Sequence, residues 1–96
     1  MAWVFAVKDV TGRRIHLSAE RWAHISRKHP DVVPYLEEIP QILRCSLQRR
    51  EVSSRKVYYA AYFKHRPFPE KFLVVIGKYL NDHGFILTAY FALRLP

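Results

Sequence analysis

Residues 2–8 are rich in β-formers, and so is the short run from Arg13 to Leu17. Between them lies Asp9–Arg14 with Thr11-Gly12, a turn signal, so the spacing predicts an N-terminal β-hairpin. The next stretch, Ser18-Ala19-Glu20-Arg21-Trp22-Ala23-His24-Ile25-Ser26-Arg27-Lys28-His29-Pro30, changes period. Trp22, Ile25 and His29 recur at i, i+3, i+7 and define an apolar helical stripe. Ser18 suits the N-cap and Glu20 the positive end of the helix dipole. Pro30 disfavours helical geometry at His29 and ends the helix, predicted over 19–29. A second helix is predicted over 33–47, with Leu36, Ile39, Ile42, Leu43, Ser46 and Leu47 on its buried side and a kink at Pro40. The polar run Gln48–Arg55 leaves room for a short strand near 51–53. Three strands follow at 56–64, 71–79 and 84–92. Pro67 and Pro69 exclude regular structure in the first connection, and Asn81-Asp82-His83-Gly84 is a hairpin turn in the second.

The predicted fold class is α+β: an N-terminal β-hairpin, two helices, then an antiparallel β-meander with the helices packed on one face of the sheet. Strand alternation puts Tyr58 and Tyr62 on one face of the first meander strand, opposite Tyr59 and Phe63. On the last strand Phe85, Leu87, Ala89 and Phe91 are the more apolar set and are assigned to the helix side. Ile86, Thr88 and Tyr90 then look outward. Alternation does not orient the middle strand, whose two faces are both apolar.

Composition narrows the function. At 96 residues the chain is read as one domain, and 50% hydrophobic content is enough for a core. The formal charge of +8, from 16 Lys and Arg against 8 Asp and Glu, points to an anionic partner, with nucleic acid first. Cys45 is the only cysteine, which excludes an internal disulfide, and it is expected as a buried small residue. The stretch Met1–Lys8 lacks the basic leader of a signal sequence, and no run approaches membrane-spanning length, so a cytoplasmic protein without a membrane partner is expected. No cofactor or metal site is expected, and no phosphate-binding glycine loop or paired-carboxylate constellation is present.

The candidate chemistry lies first on the helix. Arg21, His24 and Lys28 share a second helical face, a row of two cations and an imidazole. Such a row can move a proton at neutral pH and stabilise the charge of a phosphodiester under attack. It also reads as a plain basic surface. His29 reads as a helix-end residue or a site residue. Thr88 and Tyr90 can hold a phosphate or be ordinary strand residues, Tyr58, Tyr59 and Tyr62 can stack unpaired bases or simply be good strand formers, and Lys78 adds to the positive field or is plain solvated surface. His16, His65 and His83 receive no role.

The order Ile-His-Leu-Ser-x-Glu-Arg-Trp-x-His-Ile…Lys-His-Pro-Asp at 15–31, then Val-Tyr-Tyr, Leu-Val-Val-Ile-x-Lys-Tyr and Gly-Phe-Ile-Leu-Thr-Ala-Tyr, resembles the phage-type nucleases of the barnase–EndoU–colicin–RelE (BECR) fold group. The resemblance covers about residues 13–92; Asp31 stands where that pattern more often has Glu. It implies helices followed by a four-stranded antiparallel sheet, and metal-independent RNA cleavage in toxins or phage effectors. Carried to matching positions, it implies catalytic roles for His24, His29, Lys28, Thr88 and Tyr90. Arg21, Tyr58, Tyr59, Tyr62 and Lys78 are the expected substrate contacts. The expected function is a small basic endoribonuclease acting on tRNA or mRNA through 2′-hydroxyl attack with histidine acid–base catalysis. The alternatives are a non-catalytic RNA-binding module of the same fold and a partner for an acidic antitoxin or immunity protein.

Overall fold

The computed structural model describes residues 3–46, 48–53 and 55–96; expectations that fall on Met1, Ala2, Leu47 and Ser54 lie outside them. In chain order the elements are β1 (Trp3–Lys8), β2 (Arg14–Ser18), α1 (Ala19–Lys28), a 3-10 helix (Pro30–Tyr35), α2 (Glu38–Cys45), β3 (Gln48–Ser53), β4 (Lys56–Tyr62), β5 (Phe72–Leu80) and β6 (His83–Ala92). The fold is α+β, with the hairpin, the helices and the meander in the order the sequence predicts. The strands form one six-stranded sheet in the order β1-β2-β6-β5-β4-β3. It is mixed rather than purely antiparallel: β2 runs parallel to β6, pairing Arg14, Ile15 and His16 with His83, Gly84 and Phe85. The first hairpin is therefore stitched to the last strand. The β3 strand also begins earlier than expected, at Gln48, and pairs antiparallel with β4.

The ends of α1 follow its sequence signals. The Arg21 amide donates to Ser18 Oγ at 3.1 Å, satisfying one free donor of the first turn. His29 closes the helix, its amide donating to the Ile25 carbonyl at 2.7 Å. The expected single helix over 33–47 is not formed. The chain makes a 3-10 helix through Pro34, turns, and begins α2 at Glu38. Pro34 disfavours α geometry at Val33, which moves the break forward. Pro40 then falls in the first turn of α2, where an amide has no helical partner to lose, and the expected kink is absent. Cys45, expected inside, is exposed at the end of α2. Its neighbour Ser46 takes the buried position, donating to the Ala60 carbonyl at 3.0 Å.

The helices cover one face of the sheet. Ile25, Val32, Ile39, Ile42 and Leu43 pack on Ile15, Leu17, Val57, Leu73, Val75 and Ala89. A smaller apolar cluster, with Ala60, Val74 and Ile76 at its centre, lies apart from this core, and Tyr58, Leu87 and Tyr90 pack against it. It belongs to the opposite face. A bulge in β6 decides which residues go where: Ile76 pairs with Thr88 but Gly77 pairs with Ile86, leaving Leu87 as the extra residue. The alternation therefore changes phase. Ala89 and Phe91 pack with the helices as expected, whereas Ile86 joins them and Phe85 and Leu87, expected there, do not.

Two polar clasps tie loops to this frame. At the β1–β2 turn, Asp9 is 5% exposed. Its Oδ1 accepts from the Thr11 amide and hydroxyl and the Arg13 amide. Its Oδ2 accepts from Tyr59 at 2.7 Å and from Tyr79 at 2.8 Å, and the two phenol oxygens are 2.8 Å apart. Arg13 lies over the Tyr79 ring at 3.9 Å and also reaches Glu51 on β3. In the proline-rich connection between β4 and β5, the Arg66 guanidinium is buried over the Phe91 ring at 3.6 Å. It donates to Asp31 at 3.1 Å, so the Asp of the His-Pro-Asp motif is engaged in a structural pair.

Candidate functional site

The face not covered by helices is crossed by rows of residues set by the strand register. One row runs Tyr58, Ile76, Thr88; the next runs Ala60, Val74, Tyr90; at the other end Lys56, Lys78, Phe85 and His16 lie side by side. Aliphatic side chains make the floor. Tyr58, Thr88 and Tyr90 are half-buried on it, and Lys78 is exposed. Tyr62 is 56% exposed at the end of β4, its ring 5.0 Å from that of Phe72. An apolar floor with aromatic rings and lysines has the chemistry to stack unpaired bases and meet phosphates with cations.

One end of this face is built by α1. β2 leaves β6 after Phe85, and α1 and the 3-10 helix pack against β6. His29, at the end of the buried stripe of α1, comes to Tyr90 with ring centres 6.1 Å apart. Burial, with a smaller contribution from Tyr58, pushes the Tyr90 phenol above its ordinary value, so it is a neutral hydrogen-bond donor at pH 7. The structure thus brings together His29, Tyr90, Thr88 and Tyr58.

It does not bring His24 to them. His24 and Lys28 are exposed, and Arg21 and His24 line a shallow surface depression with Ser18 and Glu20. Five residues of helix put His24 about 140° around the axis from His29. The stripe that docks α1 aims His29 at the sheet and turns the row of Arg21, His24 and Lys28 away. Tyr59 is a correction. It is 0% exposed in the helix-side core, with its hydroxyl in the Asp9 clasp, and cannot stack a base. Burial raises its phenol to about 12.

Sequence reasoning missed the other end of the face. His16 on β2 and His83 on β6, left without a role, have ring centres 6.3 Å apart and rings within 17° of parallel. Trp3, 47% exposed, lies against His16 with ring centres 3.8 Å apart. Arg14 is the register partner of His83, and Lys8 the partner of Arg14. His16 and His83 are 67 positions apart in the chain, and the parallel β2–β6 pair joins them; no local spacing signals it. His65 is exposed in the β4–β5 connection.

Among the described residues no group of three His, Cys, Asp or Glu side chains could hold a metal ion, and no helix is long and apolar enough to cross a membrane. Compared with known proteins, the chain matches no family model, no curated protein and no solved structure.

Proposed function

We propose that this protein is a small basic endoribonuclease that lays single-stranded RNA along the open face of its sheet. Cleavage then proceeds by attack of the RNA's own 2′-hydroxyl with histidine acid–base help. The observation that carries this reading is the open face itself: exposed or half-buried tyrosines, the facing Lys56–Lys78 pair and an imidazole at each end, on a chain of formal charge +8. Tyr58 and Tyr62 stack bases, while Thr88 and Tyr90 donate to phosphate oxygens beside His29. The resemblance to the BECR nucleases points the same way and adds tRNA or mRNA as the substrate.

A second reading, RNA binding without cleavage, is favoured by one observation. The imidazole that α1 presents to the sheet, His29, has Tyr90 beside it and, among the described residues, no second imidazole, since His24 is turned away. An acidic protein partner is a further occupant of the same basic face.

The test is incubation of the purified protein with total tRNA and a mixed RNA pool in EDTA. Discrete fragments are expected from the wild type and from His24→Ala. The double variant Lys56→Glu/Lys78→Glu is expected to bind and cut at least about tenfold less well, having lost two phosphate contacts. Intact RNA with a salt-sensitive mobility shift supports the second reading, and neither shift nor cleavage removes RNA as the ligand.

A further inference from the structure

We infer that His16 and His83 are the general base and general acid of the cleavage, with Trp3 as the platform for a base next to the scissile phosphate. This rests on the ribonuclease reading and locates its chemistry. Three independent features meet at the β2–β6 seam. The first is spacing. Two imidazoles with centres 6.3 Å apart on one face leave both rings within reach of a single phosphodiester, since proton transfer needs a ring nitrogen within about 2.6–3.2 Å of the atom it serves. The second is availability. Among the described residues no side chain or backbone group hydrogen-bonds either ring, unlike Asp9, Tyr59, Tyr79 and Arg66, which are all engaged. The third is charge. Arg14 stands beside His83, Lys8 beside Arg14, and Lys78 beside Phe85, giving the phosphate cations on three strands. The one acid next to the pair in sequence, Asp82, lies exposed in the β5–β6 turn.

The roles follow from the surroundings. His16 is half-buried against Trp3 and faces His83; burial first and then that neighbour hold it below its ordinary value of 6.5. It is therefore neutral at pH 7 and fit to accept a proton. His83 is exposed at the start of β6. In the step, His16 takes the proton of the 2′-hydroxyl as the 2′-oxygen–phosphorus bond forms. The phosphorus–O5′ bond breaks, and O5′ takes its proton from His83. The products are a 2′,3′-cyclic phosphate and a 5′-hydroxyl, and water restores both imidazoles.

The experiment measures cleavage of a short single-stranded RNA in EDTA by the full chain and by His16→Ala, His83→Ala and the double variant. Binding is measured separately with the 2′-O-methyl form of the same oligonucleotide, which cannot be cut. Each single variant is expected to lose about 10²-fold or more in kcat with Kd changed less than about threefold, and the double variant to be little worse than the weaker single one. The wild-type rate is expected to fall at acid pH as His16 becomes protonated, and that limb to vanish in His16→Ala. His83→Ala, at an exposed strand start, carries the test alone should His16→Ala fail to fold. Full activity in folded variants that still bind overturns the assignment and leaves the ribonuclease reading standing. Intact RNA with the wild type overturns both.

Discussion

Asp9 shows how much one side chain can set. Burial alone would raise its carboxyl, but hydrogen bonds from Thr11, Tyr59 and Tyr79 outweigh that and hold it at about 2. The native state therefore binds fewer protons than the unfolded chain between that value and the ordinary 3.8. The associated stability is complete above pH 4 and lost as pH falls through this window, by about 2 kcal/mol at 1.36 kcal/mol per unit. Tyr59 and Tyr79 act at the other end. Their phenols are raised by burial, so their contribution is complete below pH 10 and lost as pH climbs past it. Urea midpoints across pH 2–11 are expected to show a plateau that falls on both sides. Asp9→Ala, which leaves two buried phenols without their acceptor, should lower that plateau by about 3 kcal/mol and erase the acid slope. Nothing in the sequence announced this cluster. A lone Asp in a turn and two tyrosines on different strands look like a turn former and strand formers until the hairpin folds over to meet β4 and β5.

At the level of elements, the sequence was most legible where one segment decides its own structure. The cap at Ser18, the stop at Pro30 and the Asn81-Asp82 turn were all readable, and Asn81 indeed takes a positive φ of 57°. It was least legible where a choice depended on a neighbour. Leu87 and Ile86 exchange faces because of a bulge that exists only in the pairing with β5, and Pro40 is harmless only because the helix starts two residues before it. The same dependence separates two glycines. A Cβ at Gly84 would lie 2.6 Å from the ring of Tyr79, which is pinned in the Asp9 clasp, whereas a Cβ at Gly77 would meet the terminal methyl of the buried Ile15 at 2.7 Å. Gly84→Ala is expected to cost about 2–3 kcal/mol by thermal or urea unfolding, and Gly77→Ala about 1 kcal/mol, since only the second neighbour can rotate away. For the site, α1 was read correctly as amphipathic, yet the imidazole on its apolar stripe, not the one in its cationic row, is the one the fold delivers to the sheet.

For the whole molecule the relevant property is where its charge lies. The formal charge of +8 favours an anionic partner; in the proposed reading its phosphates rest on the open face. Lys56 and Lys78 each meeting one phosphate of a single strand implies that Lys56→Ala/Lys78→Ala lowers the slope of log K against log salt by about 1.4. That slope is measured by anisotropy titrations of a labelled uncleavable oligonucleotide over a salt series. An unchanged slope would place the RNA elsewhere. The same distribution protects one of the sheet's two edges, because β3 presents Arg49, Arg50 and Glu51, and a charged edge resists pairing with another copy.

The seam between β2 and β6 also has a consequence in time. A chain emerging from the ribosome can close its first hairpin and wind α1 early, since both are local. It cannot place β2 beside β6 until His83, Gly84 and Phe85 have been made, and such distant pairings form late. The two imidazoles therefore meet only once β6 has joined the sheet. Under the ribonuclease reading proposed above, a chain that ends before β6 would keep the lysines and arginines of its earlier strands and lack the paired imidazoles.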